Sequence, residues 1–161
     1  VTRRNRRAVV NRINAIRAQS RFVPEPHLIL VVDDEPLDEL LARLAPELNR
    51  GGLVSSLLGW FHNDEDSVIP WQCILPDVGC TGYAPVLICP DDLDYSCGVV
   101  IAEVVAEEDV IRWDRLGFDA TRKGVVGSCI RWEPRLGSYR FNRAEYEACL
   151  AAFRPQGTEV S

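Results

Sequence analysis

Two aspartates, Asp33 and Asp34, close the apolar part of the run LILVVDDEPLDELLARL at residues 28 to 44. Paired carboxylates at the end of a strand could hold a divalent cation, because hard cations take oxygen ligands. Three further acidic runs carry Asp64, Glu65 and Asp66 (HNDED), Asp91, Asp92 and Asp94 (CPDDLDYSC), and Glu107, Glu108 and Asp109 (AEEDV). The run around Asp91 lacks the alternating oxygen-ligand spacing of a calcium loop, so a solvated acidic turn is the plainer reading. His27 and His62 have no second ligand at helical or hairpin spacing, which argues against zinc hydrolysis. The six cysteines (Cys73, Cys80, Cys89, Cys97, Cys129, Cys149) form no C-x-x-C pair and are irregularly spaced. They are expected to be buried free thiols. A cysteine and a histidine could meet in space as a nucleophile pair, but no local signature marks one. The glycines stand singly or at turns, so no phosphate-cradling loop is present. No catalytic residue, metal or cofactor is expected.

The opening stretch resembles the start of a response-regulator receiver domain, whose metal-binding acids Asp33 and Asp34 match in type and place. That resemblance implies alternating strands and helices, a phosphoacceptor after the third strand and a lysine after the fifth. Asp77 in ILPDVG follows its proline instead of preceding it. The sole lysine, Lys123, lacks the expected strand before it. The acids of the opening stretch are therefore expected to be helix-cap and first-turn acids, favoured there by the helix dipole.

The elements that must position these residues read as follows. Val9, Ile13 and Ile16 fall at helical spacing, predicting a short amphipathic helix over residues 6 to 20, and Pro24 and Pro26 then mark a boundary. HLILVV reads as a buried strand. Leu37, Leu40, Leu41, Leu44 and Leu48 make one helix face, capped by Asp34 or Glu35, frayed near Pro46 and ended by Gly51-Gly52. LVSSLLGWF and SVIPWQCIL read as strands around a turn at HNDED, and PVLIC as another strand. In CGVVIAEVVAEEDVIRWDRLGF a hairpin pairs Val105 with Val110 and Glu103 with Arg112. SCIRWEP is a further strand. In FNRAEYEACLAAF, Asn142 and Glu145 form a capping box and Phe141 and Tyr146 a hydrophobic staple. Tyr146, Cys149, Leu150 and Phe153 form the buried stripe, and Pro155 stops the helix. The fold class is α+β: a mostly antiparallel sheet of hairpins, with a helix after the first strand and a C-terminal helix packed on it. The expected organisation is a basic arm or helix over 1–24, one domain over 25–155 and a tail over 156–161.

A chain of 161 residues that is 47% hydrophobic can bury one sizeable core. Its net charge of −6 hides an asymmetry, because residues 1–22 carry seven arginines and no acid. The remainder holds 11 basic residues against 24 acidic ones. Such a field repels nucleic acid and anionic membrane and attracts cationic partners. The charges that follow RRNRR fall where an export signal needs an apolar segment, so a cytoplasmic setting is expected.

The run PVLICPDDLDYSCGVVIAEV, followed by VIRWDRLGFDAT and FNRAEYEACLAAF, resembles small bacterial immunity proteins encoded beside secreted toxins of interbacterial competition. The similarity covers residues 68 to 153 and rests on strand ends, a Trp-x-x-x-Gly-x-Asp turn and a terminal helix. It implies stoichiometric binding and occlusion of one cognate toxin, without catalysis. The charge points the same way, since a toxin with a cationic cleft would be captured quickly by an acidic inhibitor. The expected interface is the three acidic loops, Asp64 to Asp66, Asp91 to Asp94 and Glu107 to Asp109, with Trp60, Trp71 or another partly exposed aromatic as an anchor. The competing readings are a divergent receiver-like signalling domain and a small thiol-dependent enzyme.

Overall fold

The computed structural model describes residues 10–48, 50–121 and 124–154. They form two antiparallel sheets and three α-helices, the α+β class. A small sheet has the order β1-β2-β3, from β1 (Ile13–Ser20), β2 (Val23–Val32) and β3 (Glu35–Pro36). A larger one runs β4 (Val54–Ser55), β5 (Thr81–Ile88), β6 (Val100–Ala106), β7 (Val110–Asp119) and β8 (Ile130–Trp132), with β9 (Tyr139–Asn142) also paired to β7. The helices are α1 (Leu37–Leu44), α2 (Asp64–Cys73) and α3 (Arg143–Phe153).

The N-terminal segment corrects the expected helix. Residues 13–20 pair with β2 as a strand, Ile13 opposite Val32 and Arg17 opposite Leu28. Val9 and arginines 3 to 7 lie outside the described residues. Pro24 and Pro26 mark no boundary either, because both sit inside β2. From the Ala18/His27 pair to the Ser20/Val23 pair, β2 spends four residues where β1 spends two, so the prolines lie in a bulge. His27, 4% exposed, holds that bulge: Nδ1–H donates to the Glu25 carbonyl (2.8 Å), which leaves Nε2 to accept from the Ser20 hydroxyl (3.2 Å).

Asp33 and Asp34 are not helix acids. They form the two-residue turn between β2 and β3, with φ of 50° and 66°, the signature of a type I′ hairpin. Asp33 is fixed there by Asn11 Nδ2 (2.7 Å) and the Arg12 amide (2.8 Å). α1 begins at Pro36 without a side-chain cap and ends at Ala45, well before Gly51. The frayed turn foreseen at Pro46 is a 3-10 segment, Pro46–Leu48. Gly52 instead gives its amide to the buried Asp38 carboxylate (2.8 Å).

The HNDED run is the start of α2, not a hairpin turn. Asn63 caps it by accepting from the Glu65 amide (2.8 Å), and Asp64, Glu65 and Asp66 occupy the first turn where the dipole favours acids. Pro70 lies inside this helix and has no N–H to give the Asp66 carbonyl four residues back. The Tyr95 hydroxyl donates to that carbonyl at 2.6 Å.

The β6–β7 hairpin has the expected inward face but a different register. Val104 stands opposite Trp113 and Val105 opposite Arg112, and an irregularity then brings Glu103 opposite Arg115. Glu103 accordingly bridges Arg115 (2.6 Å) instead of Arg112. α3 carries the foreseen stripe of Tyr146, Cys149, Leu150 and Phe153, all buried. Asn142 accepts from the Glu145 amide (3.1 Å) and the Phe141 and Tyr146 rings lie 5.7 Å apart, as a cap and a staple should. Glu145 does not complete a capping box: its carboxylate takes the Ile13 amide (2.9 Å) and Arg12 Nε (3.2 Å), tying α3 to β1. Pro155 and the tail lie outside the described residues.

The main core gathers the inner faces of both sheets with α1 and α3 around Trp113, Phe141 and Tyr146. Trp113 Nε1 donates to the Tyr146 hydroxyl (3.2 Å), which donates to the Ile74 carbonyl (2.7 Å), so the buried polar tips are satisfied. A satellite cluster of Val54, Phe61 and Ile88 packs with Trp60, Leu93 and Tyr95.

Candidate functional site

Two of the three acidic runs meet. The segment from Cys89 to Gly98 folds back on α2, with the His62 amide donating to the Leu93 carbonyl (3.4 Å) and Tyr95 reaching Asp66 as described. Burial pushes the Tyr95 hydroxyl well above the usual phenol range, so it stays a neutral donor. Asp94 accepts from both the hydroxyl and the amide of Ser96, and these bonds hold its carboxyl below the ordinary aspartate range. Asp66, Asp94 and Asp119 line one open concavity of ≈ 470 Å³ with Tyr95, Thr121 and Val125. Asp119 comes from the end of β7, where its carboxylate takes the amides of Thr121 and Gly127 (3.2 Å each). Asp64, Glu65, Asp91 and Asp92 are exposed and carry no ion pair with a described residue; they belong to the two joined runs but do not line the concavity, and Asp91 lines a separate cavity with Arg50.

The third run is elsewhere. Glu107, Glu108 and Asp109 form the turn after β6, whereas the Asp91 loop precedes β6. A strand of 7 residues separates the two loops by roughly 20 Å at about 3.3 Å per residue. Glu107 is also occupied, since its carboxylate pairs with Arg112 and its carbonyl accepts from Arg143 Nη1 (2.8 Å).

Neither tryptophan lines the concavity. Trp60 is half-buried against His27, ring centroids 5.2 Å apart, and faces a separate cleft with Arg17 and Phe153. Trp71 is half-buried beneath the Arg154 guanidinium, 4.9 Å from its ring centroid. Tyr95 and Val125, the latter 70% exposed, line it instead. Neither is named by the sequence motifs, although Tyr95 stands inside the acidic run itself; Asp119 ends the Trp-x-x-x-Gly-x-Asp motif, which lies within strand β7 and not in a turn.

The antiparallel sheets are not the alternating, doubly wound arrangement that a receiver requires. Asp77 sits in the turn before β5, its carbonyl accepting from the Cys80 amide (2.8 Å), and Lys123 lies outside the described residues. The cysteines are free, but Cys149 alone is fully buried; Cys73 and Cys89 are half-buried and Cys80, Cys97 and Cys129 exposed, which corrects the expectation of six buried thiols. His27 has both ring nitrogens engaged with Glu25 and Ser20 and is not free to serve as a base. Among the described residues, no group of three or more His, Cys, Asp or Glu is placed to hold a metal ion.

Fold and site together define an α+β protein with two antiparallel sheets and a concave acidic end. Among the described residues no helix is long and apolar enough to cross a membrane. Comparison with protein-family models, curated proteins and solved structures finds no match to this chain.

Proposed function

We propose that this chain is an immunity-type inhibitor, which binds a cognate toxin in the cytoplasm and occludes its active site by pressing an acidic surface against a basic one. The observation that supports it most is the joining of the Asp64 and Asp91 runs through Tyr95 and Asp66, beside a concavity with a third carboxylate. Unpaired surface carboxylates of one sign steer a cationic protein into encounter and fix its orientation. Tyr95 and Val125 supply an apolar patch on which a partner side chain can be desolvated, the usual basis of an interface anchor. The proposed interface takes in the two joined runs and the concavity: Asp64, Glu65, Asp66, Asp91, Asp92, Asp94 and Asp119. Glu107, Glu108 and Asp109 fall outside it.

The test begins with tagged recovery from the native cell and a search for one near-equimolar basic partner. Binding is then compared for two charge reversals. Replacing Asp91, Asp92 and Asp94 by lysine should abolish binding and protection, while replacing Glu108 and Asp109 by lysine should change neither. Equal losses in both variants, or none in the first, would remove the proposed interface.

A further inference from the structure

The loop between β5 and β6 begins and ends in a thiol. Cys89 directly follows β5, and Cys97 precedes the glycine that leads into β6. Both line a cavity of ≈ 180 Å³ together with Arg50, Asp91 and Gly98. Gly98 lies beside Cys89, since a Cβ built there would stand 3.6 Å from the Cys89 Cβ. Cys97 is the adjacent residue. Leu53 Cδ2 (3.5 Å) and Arg50 Nη1 (3.6 Å) border the same position, so the cavity that the two thiols line also holds a guanidinium. The φ of 71° at Gly98 is a conformation that glycine alone holds without penalty, so this link is the permissive one in the loop.

We infer that Cys89 and Cys97 are a redox pair, forming a reversible intrachain disulfide when the chain meets a peroxide-class oxidant. One thiolate attacks the peroxide oxygen, becoming a sulfenic acid as the first water leaves. The second sulfur attacks the sulfenic sulfur and expels the second water. In sum two thiols lose two protons and two electrons, and the peroxide is reduced to water; a dithiol reductant reverses the change. The bridge closes the segment carrying Asp91, Asp92, Asp94 and Tyr95. Cys149 is a poor competitor, because burial among core side chains pushes its thiol up to about 12.

The full chain is treated with hydrogen peroxide, remaining thiols are alkylated, and the products are mapped by proteolysis and mass. The peptides holding Cys89 and Cys97 should lose two hydrogens as a pair, resist alkylation, and recover both thiols with dithiothreitol. Closing this short loop should raise Tm by about 5 °C. Cys97→Ser should remove both effects and Cys80→Ser neither. Full alkylation of Cys89 and Cys97 after peroxide would overturn the assignment, as would separate sulfinic acids or bridges through Cys80 or Cys129. The mapping requires no binding partner, so its outcome is independent of what the acidic end recognises.

Discussion

Asp38 is a carboxylate left 4% exposed, with the Gly52 amide donating to it at 2.8 Å. Burial raises its pKa above the ordinary value, against the opposing pull of that amide. A folded pKa above the unfolded one means that Asp38's contribution is fully present below its unfolded pKa and lost as pH rises through the folded one. Asp38→Asn keeps an acceptor for Gly52 without a charge to bury, so it should equal or exceed the wild type in stability at pH 7. In urea titrations the wild type should gain on this variant as pH falls toward 3. Asp38→Ala leaves a buried N–H unpaired and should cost about 1–2 kcal/mol at either pH. Tyr95 presents the converse case, because its hydroxyl replaces a helix bond that Pro70 cannot make. Tyr95→Phe should lower stability by about 1 kcal/mol in the same assay. It should also weaken partner binding by freeing one acidic run from the other.

The turn at Asp33 and Asp34 shows two adjacent residues of one type with different duties. Asp34 is exposed at φ 66° and holds no partner among the described residues, while Asp33 carries two hydrogen bonds at φ 50°. Asp34→Gly should raise stability by about 0.5 kcal/mol and Asp33→Gly should lower it, a contrast that Tm measurements resolve. Gly82 marks where α2 crosses β5: an added Cβ would stand 2.2 Å from the Cys73 carbonyl oxygen. Gly82→Ala should therefore cost about 2 kcal/mol in denaturant unfolding. The elements differ in how far sequence reveals them. α3 is legible because its cap, staple and stripe all lie within thirteen consecutive residues, Phe141 to Phe153, leaving only the Glu145 bond to β1 unforeseen. α2 is not, because its interior proline and strand-like composition argue against a helix and the compensating hydroxyl sits 29 residues along the chain. β1 is misread for a different reason. Three β-branched residues fell at a helical interval by coincidence, and only pairing with β2 decides between the two periods. The separation of the third acidic run is a matter of topology, because loops at opposite ends of one strand cannot meet.

For the molecule as a whole, the acids around the concavity act through a field that salt screens over about 8–10 Å. Association with a basic partner should slow by roughly tenfold between low and high salt, while dissociation changes much less, as stopped-flow measurements would show. The bulge in β2 bears on how such a partner can dock. Past its short pairing with β3, β2 has no further strand beside it among the described residues, and the exposed Pro24 and Pro26 lie along this stretch. Proline has no amide hydrogen, so an incoming strand would find donors missing at both positions. The β2 edge of the small sheet is thus ill suited to pairing with another strand, whether from a partner or from a second copy of the protein, while β1 forms the sheet's other edge. A partner meeting that edge would have to be held through side chains, a surface that substitution can change while the scaffold beneath it stays fixed.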